Sequence, residues 1–290
     1  MRELSGKVAF VSGGAGGIGL AMAEAFGREG MAVMLADVEA GALEAALADL
    51  RSKQIRAEGV LCDVASRDQV RAAALETIAR FGKVHLVCNN AGVAVGGPVG
   101  QVAPRDWDWV VDVNLMGAVH GTEVFVPLME SHGEGGHFVN TASIAGMVGF
   151  AGAEPYCATK FAVVAMSEGW AAQLAGRNIG VSILCPGFVK TRIHESRRNR
   201  PPAYGPDLAP PRAPDAPPSP VLSGIPTGPV AARVVEAVKD GELYVFTHPE
   251  FKAVTQARFE AILAAFDKAA ASPAINGLPP RADPGLDALR

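Results

Sequence analysis

The sequence predicts a doubly wound α/β fold. Three observations carry that reading. Short apolar runs alternate with longer helical patterns, the apolar runs are continuous, and a glycine-rich turn follows the first of them. Continuous apolar strands are buried on both faces, as in a parallel sheet covered by helices. Right-handed crossovers then give a Rossmann-type sheet in a single domain.

The elements follow in order. Val8–Val11 reads as a strand and Ile18–Glu29 as a helix, then Ala32–Ala36 as a strand and Leu43–Leu50 as a helix. Gly59–Cys62 is a third strand before a helix over Gln69–Phe81, and Leu86–Cys88 a fourth. One long helix, Trp107–Met129, precedes the strand Gly136–Thr141; the helix Pro155–Ala175 precedes the strand Val181–Cys185. No internal repeat of solenoid length is present. Residues 201–229 then carry eleven prolines and almost no periodic apolar pattern. Proline removes backbone donors, so this stretch is neither sheet nor helix interior. It reads as a linker or a lid. Helical Val230–Asp240, the strand Leu243–Phe246 and a last helix near Phe251–Ala271 follow, so a lid insertion at about 192–229 within one domain, 1–272, is expected. Residues 273–290 read as a loosely held tail.

Composition narrows the function. Of 290 residues, 49% are hydrophobic and 19% charged, enough for a packed core, and the net charge is −4. Nucleic acid is not an expected partner, because phosphate binding needs a dense cationic face. The short run Arg197-Arg198-Asn199-Arg200 reads as a solvated loop. No apolar run is long enough to span a bilayer, and the first seven residues lack the apolar core of a signal peptide. Cys62, Cys88, Cys157 and Cys185 form no CxxC pair and read as reduced, buried thiols. A cytoplasmic protein is expected. His85, His120, His132, His137, His194 and His248 lack paired-ligand spacing, so no metal site is expected.

The first strand runs into Ser12-Gly13-Gly14-Ala15-Gly16-Gly17-Ile18-Gly19 and then a helix. Without side chains, backbone N–H groups can approach a pyrophosphate at the positive end of the helix dipole. Two registers fit: Gly14, Gly16 and Gly19 match GxGxxG, and Gly13, Gly17 and Gly19 match GxxxGxG. A tight structural turn is the bland alternative, but the strand–turn–helix context favours dinucleotide binding. Asp37 closes the second strand, about 20 residues beyond the glycines, where a carboxylate can accept bonds from adenosine ribose hydroxyls. The same charge repels a 2′-phosphate, and neither the glycine loop nor Val38 supplies a compensating cation. NAD is therefore expected over NADP, the bland reading of Asp37 being a helix N-cap.

Tyr156 and Lys160 lie four residues apart, so they share one face of a helix, with Pro155 suited to its first turn. Ser143 lies thirteen residues earlier, at the end of a predicted strand. In open parallel sheets, sites form beyond the carboxyl ends of strands. Singly, each has a bland reading as a surface tyrosine, a solvated lysine or a helix cap.

Together these motifs resemble the short-chain dehydrogenase/reductase family, over about residues 5–195, while the stretch Ser196-Arg197-Arg198-Asn199-Arg200-Pro201 and the Pro-rich lid faintly resemble its aryl-alcohol dehydrogenases of lignin breakdown. The family's TGxxxGxG corresponds to Ser12-Gly13…Gly17-Ile18-Gly19, with serine for threonine. The resemblance implies cofactor contacts at Asp37 and Val38, at the adenine-binding Asp63-Val64, and at Asn90, Ala91 and Gly92 of the NNAG motif. It implies further contacts at Pro186, Gly187, Val189 and Thr191, the last holding the nicotinamide amide. It also implies a catalytic set of Asn114, Ser143, Tyr156 and Lys160. Tyr156 would accept the alcohol proton, its phenolate favoured by Lys160 and by the cofactor's positive ring. Ser143 would steady the substrate oxygen. Lys160 would also bind the nicotinamide ribose, and Asn114 a proton-relaying water.

Val93–Val95, Ala145–Phe150 and the segment after Thr191 are the expected substrate contacts. Met147, Val148 and Phe150 suggest a hydrophobic or aromatic secondary alcohol or its ketone. A sugar or polyol stays open if Arg197 or Arg200 turns inward. A non-catalytic nucleotide-binding sensor on the same fold, or another Rossmann enzyme such as a methyltransferase, would not need the Tyr156–Lys160 pair. By resemblance a homodimer or homotetramer is expected, through the helices Trp107–Met129 and Pro155–Ala175. Trp170 on the second reads as core or interface.

Overall fold

The computed structural model describes residues 1–208, 218–276 and 278. Seven parallel strands form one sheet: β1 (Val8–Ser12), β2 (Ala32–Asp37), β3 (Ala57–Leu61), β4 (Leu86–Asn89), β5 (Gly136–Thr141), β6 (Ile179–Cys185) and β7 (Tyr244–Phe246). Their spatial order is β3-β2-β1-β4-β5-β6-β7. Winding reverses between β1 and β4, and the crevice beyond their carboxyl ends is where such sheets bind ligands.

Period-two alternation sends successive side chains to opposite faces, and here both faces are covered. Ala9, Val11, Val33 and Leu35 pack with Met22 and Phe26 of α1 (Gly17–Arg28), Leu43 and Leu50 of α2 (Ala40–Ser52), and Val230, Val234 and Val238 of α7 (Thr227–Asp240). Phe10, Met34, Val87 and Phe138 pack on the other side with Val70 and Ala73 of α3 (Arg67–Phe81), Phe125 and Met129 of α5 (Gly117–His132), and Leu174 of α6 (Glu154–Leu174). The Phe10 and Phe125 rings sit 4.6 Å apart. Trp170 of α6 is half-buried against this second cluster.

The long helix expected at 107–129 is interrupted. It starts as α4 (Pro104–Val111), widens to a π-helical turn over Asp112–Met116, and continues as α5. The apolar period runs on through the turn, so the pattern gave no warning of it. The Pro-rich segment is an insertion with adjacent ends: Lys190 N–H donates to Ile225 O at 2.9 Å, and Ile225 N–H to Phe188 O at 3.0 Å. Its described parts are short 3₁₀ turns, and residues 209–217 lie outside the described residues.

The compact unit ends at Thr247, and a second begins at His248. The second unit holds α8 (Lys252–Ala271), a helix without a buried residue. Of the expected tail 273–290, residues 277 and 279–290 lie outside the described residues. Among the described residues no helix is long and apolar enough to cross a membrane. All four cysteines are buried and form no disulfide.

Candidate active site

A cleft of ≈ 670 Å³ opens at the carboxyl ends of the strands. Its floor is built by the turn after β1. Gly13 and Gly17 take φ of +62° and +56°, a region costly for any side chain. A Cβ on Gly13 would lie 2.9 Å from Ala91 Cα, and one on Gly19 only 2.1 Å from Gly13 O. The turn is thus a cradle that side chains would fill, set at the N-terminus of the 12-residue α1. Those features fit a dinucleotide's pyrophosphate.

Ser12 and Asn90 brace this turn. Ser12 Oγ accepts from the N–H groups of Asn90 (2.9 Å) and Ala91 (3.2 Å) and donates to Cys88 O. Asn90 Nδ2 donates to Ser12 O (3.0 Å) and Gly13 O (3.3 Å). Ser12 and Gly19 sit behind the wall, whereas Gly13, Gly17, Ile18, Asn90, Ala91 and Gly92 line it. Asp63, Val64, Pro186, Gly187, Val189 and Thr191 also line it. Asp37 Oδ2 accepts from Ala15 N–H at 3.0 Å and Oδ1 from Glu39 N–H at 3.1 Å. Its remaining lone pairs are available to ribose hydroxyls.

Tyr156 and Lys160, on the first turns of α6, face the cleft with Ser143. Tyr156 keeps partial exposure through the cleft, yet burial pushes its phenol up to about 12, with a hydrogen bond to Ser143 pulling the other way. Lys160 is buried, donates to Thr141 O at 2.7 Å, and stands 5.5 Å from the Tyr156 ring centroid. Burial pulls its ammonium down to about 8. Ser143 Oγ accepts from Ala145 N–H at 3.1 Å and reaches Pro186 O only at 3.4 Å, leaving it adaptable.

Asn114 lies in the π-helical turn, a distortion frequent at functional positions. Its side chain does not line the cleft. Oδ1 accepts from Val93 N–H at 2.8 Å, and Nδ2 donates to Val93 O at 2.9 Å and Thr159 Oγ1 at 3.2 Å. The side chain itself thus clamps the loop after β4.

The segment after β6 closes the far side. Ser196 Oγ accepts from Ala94 N–H at 3.0 Å. Arg197 Nη2 and Arg200 Nε donate to Asp106 of α4 at 2.7 and 2.8 Å. Asp106 and Arg200 are buried, with side chains only 3% and 5% exposed. Burial would raise the Asp106 carboxyl, but the two guanidiniums override it and hold it below its ordinary value. Tyr204 Oη donates to Asp112 at 2.9 Å. Arg197 and Arg200 therefore face α4, whereas Trp109, Phe150 and Phe188 line the cleft.

Sequence reasoning missed a second network. Glu39, two residues past Asp37, receives Arg198 Nη2 at 2.7 Å, Asn199 Nδ2 at 2.9 Å and Arg192 Nη2 at 3.4 Å. The Arg198 bond holds its carboxyl down to about 2 against the opposing effect of burial, with Asn199 assisting. Two cations therefore line the cleft with Asp37, although neither the glycine loop nor Val38 supplies one. They come from more than 150 residues away, so local inspection of the glycine loop could not reveal them.

Among the described residues, the one grouping with metal-donor atoms is His85, His132 and Glu134. Its ring nitrogens are engaged: His85 with Val8 N–H and Glu134, His132 with Val84 O and Glu134 N–H. Lys83 also pairs with Glu134. The arrangement is a hydrogen-bonded cluster at the amino ends of β4 and β5.

The model of the short chain dehydrogenases matches residues 7–202. The chain belongs to the short-chain dehydrogenase/reductase family. A family member from Sphingobium sp. SYK-6 named C alpha-dehydrogenase is 35% identical over 91% of this chain and 87% of its own. The structure of a short chain dehydrogenase/reductase from Burkholderia phymatum in complex with NAD matches with a TM-score of 0.87 and 37% identity, over 98% of this chain and 100% of that one. Actinorhodin polyketide ketoreductase, determined with NADPH, matches with a TM-score of 0.73 and 29% identity over 85% and 97% of the two chains. As a short-chain dehydrogenase/reductase, the protein is an oxidoreductase on the fold expected from its sequence.

Proposed function

We propose that the protein interconverts a hydrophobic or aromatic secondary alcohol and its ketone with NAD as cofactor. The observation that carries this reading is the joint wall of the cleft. Ser143, Tyr156 and Lys160 meet apolar Trp109, Phe150 and Phe188, while Arg197 and Arg200 are spent on Asp106. A sugar needs several polar partners, and the arginines that could have served are turned away. Kinship to a C alpha-dehydrogenase and to an NAD-bound relative supports the same reading.

Bound nicotinamide would accept hydride from the carbinol carbon, or return it in reduction. Ser143 Oγ donates a hydrogen bond to the substrate oxygen and holds it beside the phenol. Tyr156 as phenolate takes the hydroxyl proton; as phenol it gives one to the ketone. A phenol at about 12 is too weak an acid for this at neutral pH, so it needs a cation beside it. Lys160 is that cation, held by Thr141 O. Asn114 fixes the Val93 backbone at the substrate side and, by the family resemblance, would hold the water that relays the proton outward. Asp37 receives the adenosine ribose. Self-association through α4, α5 and α6 as a homodimer or homotetramer belongs to the same proposal and is decided by light scattering.

A panel of 1-aryl alcohols, aliphatic secondary alcohols and polyols, assayed with NAD, tests the substrate class. Aryl alcohols should give the highest kcat/KM; faster turnover of polyols overturns the reading.

A further inference from the structure

The geometry points to Glu39 as a second determinant of cofactor choice: its carboxylate holds Arg192 and Arg198, at the ribose end of the cleft, away from the 2′-phosphate of NADP. The inference rests on the NAD reading above.

Asp37 alone does not make this end of the cleft hostile to phosphate. Asp37, Glu39, Arg192 and Arg198 line the same cavity, so two carboxylates are offset by two guanidiniums. Guanidinium groups are the preferred partners of phosphate, because their planar forks donate two parallel bonds. Left uncommitted, two of them beside the ribose would draw a 2′-phosphate in and cancel the repulsion from Asp37.

Glu39 removes that option. Arg198 spends Nη2 and Nε on Glu39, at 2.7 and 3.4 Å, and Nη1 on Arg192 O at 3.0 Å. All three nitrogens are thereby engaged. Asn199 adds a third donor to the Glu39 carboxylate. Arg192 is held more loosely, at 3.4–3.5 Å, and its side chain is 53% exposed. It is the group that would swing first toward an added phosphate.

Position reinforces the argument. The Glu39 backbone N–H donates to Asp37 Oδ1, so the Asp37 carboxylate is held against the residue that carries the second one. Glu39 is also the N-cap residue of α2, yet its side chain makes no capping bond. A glutamate at that place serves the arginines and leaves the helix uncapped. The N-terminus it vacates is itself favourable to an anion.

The test is a fluorescence titration of the purified protein with NADH and NADPH, with thermal melts alongside. Glu39→Gln removes the charge and keeps the shape. Glu39→Ser is a second variant that can cap α2, so it is expected to fold. In both, NADPH binding should tighten by roughly tenfold, about one charge-assisted hydrogen bond, with NADH binding little changed. Adding Arg192→Met and Arg198→Met to Glu39→Gln should cancel the gain. A purely structural Glu39 would lower the melting temperature and leave the NADPH-to-NADH ratio unmoved, which overturns the inference. A gain that survives loss of both arginines also overturns it, since repulsion alone then explains the effect. Wild-type preference for NADPH overturns the NAD reading as well; wild-type preference for NADH with an unmoved ratio overturns only the role of Glu39.

Discussion

Replacing Asp106 with alanine should open the lid without disturbing the cofactor end. The Asp106 carboxylate takes one bond from Arg197 and one from Arg200, and the Asp106–Arg200 pair is almost fully buried. Removing one partner of a buried ion pair costs about 3–5 kcal/mol, because the other charge is left uncompensated. Here the lower end applies. Arg200 keeps its bonds to the Tyr204 and Gly205 carbonyls, and Arg197 keeps Asp207. A cost of about 3 kcal/mol shifts the closed-to-open balance of residues 193–208 by roughly a hundredfold. Because Asp106 does not line the cleft, the cost should appear as a higher KM for the alcohol, with NADH affinity held. Amide exchange of residues 193–208 should rise in parallel. Unchanged exchange there, with a lowered global melting temperature, would refute the assignment of Asp106 to the lid.

Other predictions follow from the same geometry. Tyr156→Phe should cost about 10²–10⁴ in kcat, the usual worth of general acid–base catalysis, with NADH binding retained in a fluorescence titration. Lys160→Met removes the cation beside the phenol, so the pH at which oxidation reaches half its maximal rate should move upward. The Lys160 ammonium is depressed from 10.5 to about 8 in the cofactor-free fold, so the unfolded chain binds the extra proton between those values. Stability of the cofactor-free protein should therefore rise with pH across that window relative to Lys160→Met, read by thermal melts. Gly13→Ala forces a side chain into φ +62° and to within 2.9 Å of Ala91 Cα; NADH binding should be lost in titration. Phe10→Ala opens a cavity against Phe125 and should lower stability by about 3–5 kcal/mol in urea.

What could be read from the sequence was local. The alternation of apolar runs with helical stretches located all seven strands, most plainly where a strand such as β1 or β2 is buried on both faces. The glycine turn, Asp37, Ser143 and the Tyr156–Lys160 spacing are likewise short-range signals. What escaped depended on distant residues meeting. The Asp106–Arg200 pair spans 94 residues and the Glu39–Arg198 pair 159, and neither leaves a local pattern. Arg197-Arg198-Asn199-Arg200 read as a solvated loop, whereas its outer pair, Arg197 and Arg200, anchors on Asp106 and its inner pair, Arg198 and Asn199, on Glu39. The π-helical turn at Asn114 was hidden because one added residue per turn barely disturbs apolar periodicity. Ser12 and Gly19, expected as cofactor contacts, also brace the turn from behind, a role only packing reveals.

The most direct measurement supplies a 1-aryl alcohol bearing deuterium on its carbinol carbon, together with NAD, and follows the label by mass spectrometry. The account predicts that the wild-type protein carries the deuterium onto the nicotinamide and releases the aryl ketone, and that Tyr156→Phe, still binding NADH, transfers almost none. Label that stays on the alcohol with the wild-type protein, or transfer at the wild-type rate by Tyr156→Phe, would contradict it.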